Sequence, residues 1–129
     1  TVVIEPNLPE YCFLIDYPEC QAAMAKIEVD ENGNQIAKRF ELYCKGLEIA
    51  NGYFELTDPV EQLKRVNSDN VERLKKELPE MPIDENFLAA LSNGIPEGSG
   101  VALGLDRLLM IMGELEHIDS VQSFSINRV

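Results

Sequence analysis

The sequence predicts an α+β domain, on three observations. Residues 39–44 and 47–56 form two strands joined by Lys45-Gly46, a pair suited to a two-residue hairpin turn. Two stretches with helix-capping signals follow, at Asp58 and at Asp84. A short glycine-rich strand over 101–105 then runs directly into a third helix. Antiparallel hairpin, helices, strand and helix in that order do not make an alternating βαβ chain.

Each element has its own local cause. Residues 11–17 are apolar and aromatic, and Pro18 stops them, so a strand is expected there. Residues 29–35 hold Asp30-Glu31-Asn32-Gly33-Asn34, a loop or turn cluster. Asp58-Pro59-Val60-Glu61 reads as N-cap, proline in the first turn and an acid at the third position. That helix should run to about Leu78 and stop before Pro79. Asp84 caps a second helix, which should end at Asn93-Gly94. The third should begin near Asp106, with Leu108, Leu109 and Met112 on its apolar face.

Composition narrows the function classes. At 129 residues the chain is one domain or part of one. No apolar run approaches the roughly 18 residues of a membrane span, and residues 1–20 carry no signal-peptide pattern. A net charge of −12 argues against gripping a nucleic-acid backbone, which needs Lys and Arg. Cys12, Cys20 and Cys44 make an odd count without a CxxC, so neither a disulfide framework nor a zinc site is expected. Reduced, buried thiols in a cytoplasmic protein fit best. His117 is the single histidine, in a polar stretch near the end, and is a poor candidate for a catalytic base.

The hairpin places carboxylates together. With Lys45-Gly46 as the turn, Cys44 pairs with Leu47 and Tyr43 with Glu48. Residues at i and i+2 share a face, as do directly paired residues. Glu41, Tyr43 and Glu48 therefore share a face read as solvent-facing, and Phe40, Leu42, Cys44, Leu47 and Ile49 form the expected core side. Neighbouring carboxylates repel unless a cation joins them, and paired oxygen ligands suit Mg²⁺. An ordinary polar outer face satisfies the same spacing. Beyond Glu48, strict alternation would drive Asn51, Tyr53 and Glu55 into the core. A bulge near Ala50-Asn51-Gly52 would return them to the polar face.

The last strand is as informative. Gly100, Ala102 and Gly104 make one face nearly flat, and Val101, Leu103 and Leu105 fill the other. A flat face admits a planar ring or another backbone closely, and Arg107 follows where it could stack on that ring or meet a phosphate. The run lacks GK[ST] and the Rossmann glycine spacing, so it is neither a P-loop nor a dinucleotide fingerprint.

Residues 100–107, Gly-Val-Ala-Leu-Gly-Leu-Asp-Arg, resemble motif 3 of class II aminoacyl-tRNA synthetases. Residues 39–56, from Arg39-Phe40-Glu41 through Asn51-Gly52-Tyr53 to Glu55-Leu56, resemble a strand pair of the lysine-activating branch. The likeness runs from about Phe13 to Val129. Within that branch the chain is most similar to the elongation factor P lysine ligases, on Ala50 ahead of Asn51-Gly52, Glu55-Leu56-Thr57-Asp58, Pro82-Ile83-Asp84, Ser99-Gly100-Val101-Ala102 and the ending Phe124-Ser125-Ile126-Asn127-Arg128. Lysyl-tRNA synthetases usually carry glycine where Ala50 and Ala102 stand.

The resemblance implies that residues 1–129 are the C-terminal portion of a class II catalytic domain, with motif 3 but no counterpart of motifs 1 and 2. It implies activation of lysine or (R)-β-lysine by ATP and transfer to a lysine of elongation factor P, with tRNA binding not expected and a homodimer expected for the full-length protein. Glu41 and Glu48 would hold Mg²⁺ on the ATP phosphates. Asn51 and Glu55 would bind substrate amines, and Tyr53 would line the side-chain channel. Gly100, Ala102 and Gly104 would floor the adenine and amino-acid pocket, and Arg107 would stack on adenine and meet the γ-phosphate. Two other readings share these residues: the end of a true lysyl-tRNA synthetase, and a binding module that keeps the pocket without the chemistry.

Overall fold

A computed structural model describes residues 4–126. Five strands and three helices follow in the order β1 (Tyr11–Pro18), β2 (Ile27–Val29), β3 (Gln35–Cys44), β4 (Leu47–Phe54), α1 (Pro59–Lys75), α2 (Glu85–Ser92), β5 (Ser99–Leu103) and α3 (Leu105–Met112). The sheet is antiparallel, in the order β1-β3-β4-β5, and β2 pairs with the early part of β3. This is the α+β arrangement expected. Asn127 and Arg128 of the terminal run lie outside the described residues.

Turn chemistry sets the hairpin. Lys45 and Gly46 have φ of 50° and 78°, both positive as a type I′ turn requires. Cys44 pairs with Leu47 and Tyr43 with Glu48, as expected. The bulge exists, but it falls at Ile49 and not within 50–52: Leu42 pairs with Ala50, leaving Ile49 extra. Gly52 has a different task. A Cβ there would collide with the Phe40 ring and stand 3.0 Å from Gly100 O.

The helices begin where their caps predict. Asp58 accepts from Val60 N and Glu61 N, and Asp84 from Phe87 N at 2.9 Å. α1 ends at Lys75, short of Leu78, because Glu77 turns left-handed (φ 56°) and Leu78 N folds back to Arg73 O. β5 and α3 each start slightly earlier than expected, with Gly104 capping α3.

The core lies opposite to expectation. Tyr17, Ala22, Ala25 and Ala37 form the buried cluster, with Leu14, Ile27 and Tyr53 packed against it. These residues belong to the Glu41 side of the sheet, because the segment after β1 folds over that side. Tyr43, expected on the solvated face, is only 4% exposed. On the other side Cys44 and Ile49 are buried, but Tyr11, Phe13, Ile15 and Val101 are exposed, Phe13 at 63%. The apolar stripe of α3 is open too, at Leu109 and Met112. The cysteines are all free, but only Cys44 is buried; Cys20 is exposed.

Candidate active site

The bulge at Ile49 decides which β4 side chains join Glu41. Beyond it, Asn51 pairs with Glu41 and Tyr53 with Arg39, so all four share one face. β5 extends that face across β4, where Ala102 pairs with Asn51 and Gly100 with Tyr53. Glu55 reaches over the same strand: its N–H donates to Gly98 O at 2.9 Å, and its carboxylate lies against Gly100.

Glu41 is the most heavily bonded group of the site. Its Oε1 accepts from Arg39 Nη2 and, at 3.4 Å, from Asn51 Nδ2. Its Oε2 accepts from Tyr17 OH at 2.6 Å and Tyr43 OH at 2.7 Å. Those four donors use all the lone-pair positions of a carboxylate. Burial, and then the hydrogen bond to Glu41, push the Tyr17 and Tyr43 phenols well above the ordinary tyrosine range.

Sequence reading placed no site role on Arg39, yet it is built into the centre. Its guanidinium donates to Gln21 O at 2.8 Å and lies over the rings of Tyr17 and Tyr53, at 4.3 and 5.4 Å from their centroids. Its place two residues before Glu41, on the same strand face, was the available signal. The cation that relieves Glu41 is thus a side chain of the protein. Glu48 has no such partner among the described residues. It lines, with Glu41, Tyr17, Arg39 and Tyr43, a cleft of about 670 Å³.

This arrangement bears on Mg²⁺. Glu41 and Glu48 are oxygen-only donors open to one cleft, which fits a hard cation that keeps several waters. Glu48 is free to serve; Glu41 serves by releasing a phenol hydrogen bond. No cluster of three or more His, Cys, Asp or Glu occurs among the described residues.

The remaining predicted residues sit at the edge of this centre. Arg107 Nη1 donates to Glu48 O at 2.7 Å, which fixes the start of α3 against β4. Gly104 N bonds to Ile49 O, and a Cβ at Gly104 would make ordinary contact with the Arg107 stem. Asn51, Tyr53, Glu55 and Ala102 do not line the large cleft; they lie beyond it on the same sheet face. His117 caps a short turn at residues 118–120 and pairs with Asp119, away from these residues in role. No helix among the described residues is long and apolar enough to cross a membrane.

An antiparallel sheet with an acidic, tyrosine-bridged face and a glycine-lined fifth strand leading into a helix defines a class. Residues 1–128 match the tRNA synthetases class II (D, K and N), and the chain belongs to that family. Within it the chain is 46% identical to a protein of Pectobacterium atrosepticum over 99% of this chain and 39% of that one, named elongation factor P–(R)-β-lysine ligase. A Vibrio cholerae protein of the same name is 46% identical over 99% of this chain and 40% of its own. A third, from Yersinia pestis strain Pestoides F, is 45% identical over 98% and 39%. The chain thus spans about two fifths of the length of the curated relatives it matches.

Proposed function

We propose that this chain is the C-terminal portion of the catalytic domain of an ATP-dependent ligase that activates lysine or (R)-β-lysine and transfers it to a lysine of elongation factor P. The observation that carries this reading is the pairing of Asn51 with Ala102 beside Glu55. Asn51 Oδ1 is buried with no donor, and a buried acceptor without a donor invites an ammonium. Glu55 adds a negative charge on the same strip. The names of the relatives support the choice of amino acid and acceptor.

In this reading a carboxylate oxygen of the amino acid attacks the α-phosphorus of ATP and pyrophosphate leaves. The acceptor lysine amine then attacks the acyl carbon, loses a proton, and AMP leaves. Asn51 and Glu55 hold the substrate amines, and Tyr53 walls the side-chain channel. Gly100, Ala102 and Gly104 floor the pocket for adenine and the amino acid. Arg107, anchored beside Glu48, supplies positive charge to the triphosphate and stacks on adenine. Glu41 and Glu48 would hold Mg²⁺, which when bound neutralises phosphate charge. The full-length protein is proposed to act as a cytoplasmic homodimer.

The test is ATP–pyrophosphate exchange by the full-length protein with α-lysine and (R)-β-lysine, followed by the mass of elongation factor P after incubation. Lysine-dependent exchange and a mass gain of one lysyl group are expected. Exchange without any gain, together with charging of tRNA, would overturn the choice of acceptor.

A further inference from the structure

Arg39 and Asn51 meet on one atom. Arg39 Nη2 and Asn51 Nδ2 both donate to Glu41 Oε1. A carboxylate paired with a guanidinium offers only lone pairs, so it can face only the NH₂ end of an amide. The Asn51 carbonyl must therefore point the other way, and Oδ1 is the buried acceptor left without a donor. The Oε1 atom of Glu41 is in turn held in place. Arg39 holds it, and Arg39 is itself fixed by Gln21 O and by the Tyr17 and Tyr53 rings. The side chains of Arg39 and Glu41 are 11% and 12% exposed, so both are screened from water.

We propose that Arg39 is a positioning residue for the substrate amine: through Glu41 it fixes the Asn51 amide so that its carbonyl oxygen faces the amine, and it keeps Glu41 from taking that amine itself. The proposal rests on the reading of Asn51 as an amine ligand. Without the guanidinium, Glu41 is an uncompensated carboxylate one side chain away from an incoming ammonium. It would compete with Asn51 Oδ1 and misplace the substrate. Lysine in place of Arg39 keeps the charge but not the fork that joins Gln21 O to Glu41.

The experiment compares Arg39→Lys, Arg39→Met and wild type in the full-length protein by ATP–pyrophosphate exchange, with α-lysine and (R)-β-lysine as probes. Arg39→Met should raise KM for the amino acid roughly 10- to 100-fold, the range for a lost charge-assisted hydrogen bond, while KM for ATP moves less than about threefold. Arg39→Lys should fall between. Because Arg39 acts through Glu41, Arg39→Met should cost less in a Glu41→Gln background than in wild type. If Arg39→Met does not fold, Arg39→Lys carries the test, since it retains the charge. Equal rises in both KM values, or an unchanged amino-acid KM in a folded Arg39→Lys protein, would overturn the positioning role while leaving the lysine reading intact. A wild type without lysine-dependent exchange would overturn the lysine reading and the proposal with it.

Discussion

The carboxylate of Glu55 lies directly over Gly100, so close that a Cβ at Gly100 would stand 2.5 Å from Glu55 Oε1. A bare position on β5 is what lets an acid from the end of β4 reach across the strand. Because Tyr53 pairs with Gly100 and Asn51 with Ala102, that acid hangs beside the two side chains proposed to meet the substrate.

Gly100→Ala should therefore displace the Glu55 carboxylate without unfolding the sheet, since Gly100 does not have a positive φ. The expected result is a KM for the amino acid raised about tenfold or more, the order of one lost bond to a charged group, with KM for ATP little changed. A variant with wild-type lysine KM would show that the Glu55 placement does not govern amine binding.

Tyr17 and Tyr43 give a pH prediction. Burial and the bond to Glu41 raise both phenols in the folded chain. A raised folded value favours the protonated form, so this contribution to stability is whole below the unfolded value of about 10. It declines as pH rises from there toward the folded values, because the unfolded chain ionises first. Phenolate absorbance should show at least two tyrosines of the folded chain still protonated above pH of about 10. Tyr17→Phe and Tyr43→Phe should not reduce the number that titrate near that pH. Loss of such a titrating group in either variant would contradict the geometry around Glu41.

Metal dependence separates the two acids. The Glu48 side chain makes no hydrogen bond among the described residues, so Glu48→Gln should leave stability within about 0.5 kcal/mol. In the full-length protein it should raise the Mg²⁺ concentration needed for half-maximal activation on the order of tenfold, given the several kcal/mol that a metal supplies to transition-state charge. Glu41→Gln is a mixed variant. It weakens the Mg²⁺ requirement's ligand set and also unsettles Arg39, Tyr17 and Tyr43. An unaltered Mg²⁺ dependence in Glu48→Gln would leave Glu48 as a solvated surface acid.

The elements legible in the sequence were those with local causes. Asp58-Pro59 and Asp84 start helices by capping geometry within one turn, and Lys45-Gly46 sets the hairpin register within four residues. The shared face of Glu41, Asn51 and Tyr53 was legible because a buried Asn and Glu would be costly, which required a bulge. Its position at Ile49 was not, since Gly52 answers to the Phe40 ring across the ladder. The covered side of the sheet was also missed. Residues 19–25 fold over Glu41 through tertiary contacts of Ala22 and Ala25, and no period in the strands encodes them. Arg39 was missed for the same reason: its partners Gln21, Tyr17 and Tyr53 come from three separate segments.

Ala102 carries the last prediction, on substrate choice. It pairs with Asn51, so its methyl projects from β5 beside the amide proposed to meet the substrate amine. A methyl makes no hydrogen bond and acts by shape alone. In β-lysine the amino group sits one carbon further from the carboxylate, so the atoms nearest the methyl are arranged differently. Ala102 is expected to disfavour the α-amino arrangement and leave room for the β one. One methylene-sized difference is worth about 1–3 kcal/mol of discrimination. Ala102→Gly in the full-length protein should therefore shift the ratio of kcat/KM for α-lysine over (R)-β-lysine upward by roughly 10- to 100-fold. Ala50 is the control. It pairs with Leu42, on the opposite face from Asn51, so Ala50→Gly should leave the ratio in place. A ratio that moves with Ala50 and not with Ala102 would place selectivity in the packing behind β4 and reduce Ala102 to a filler of the sheet.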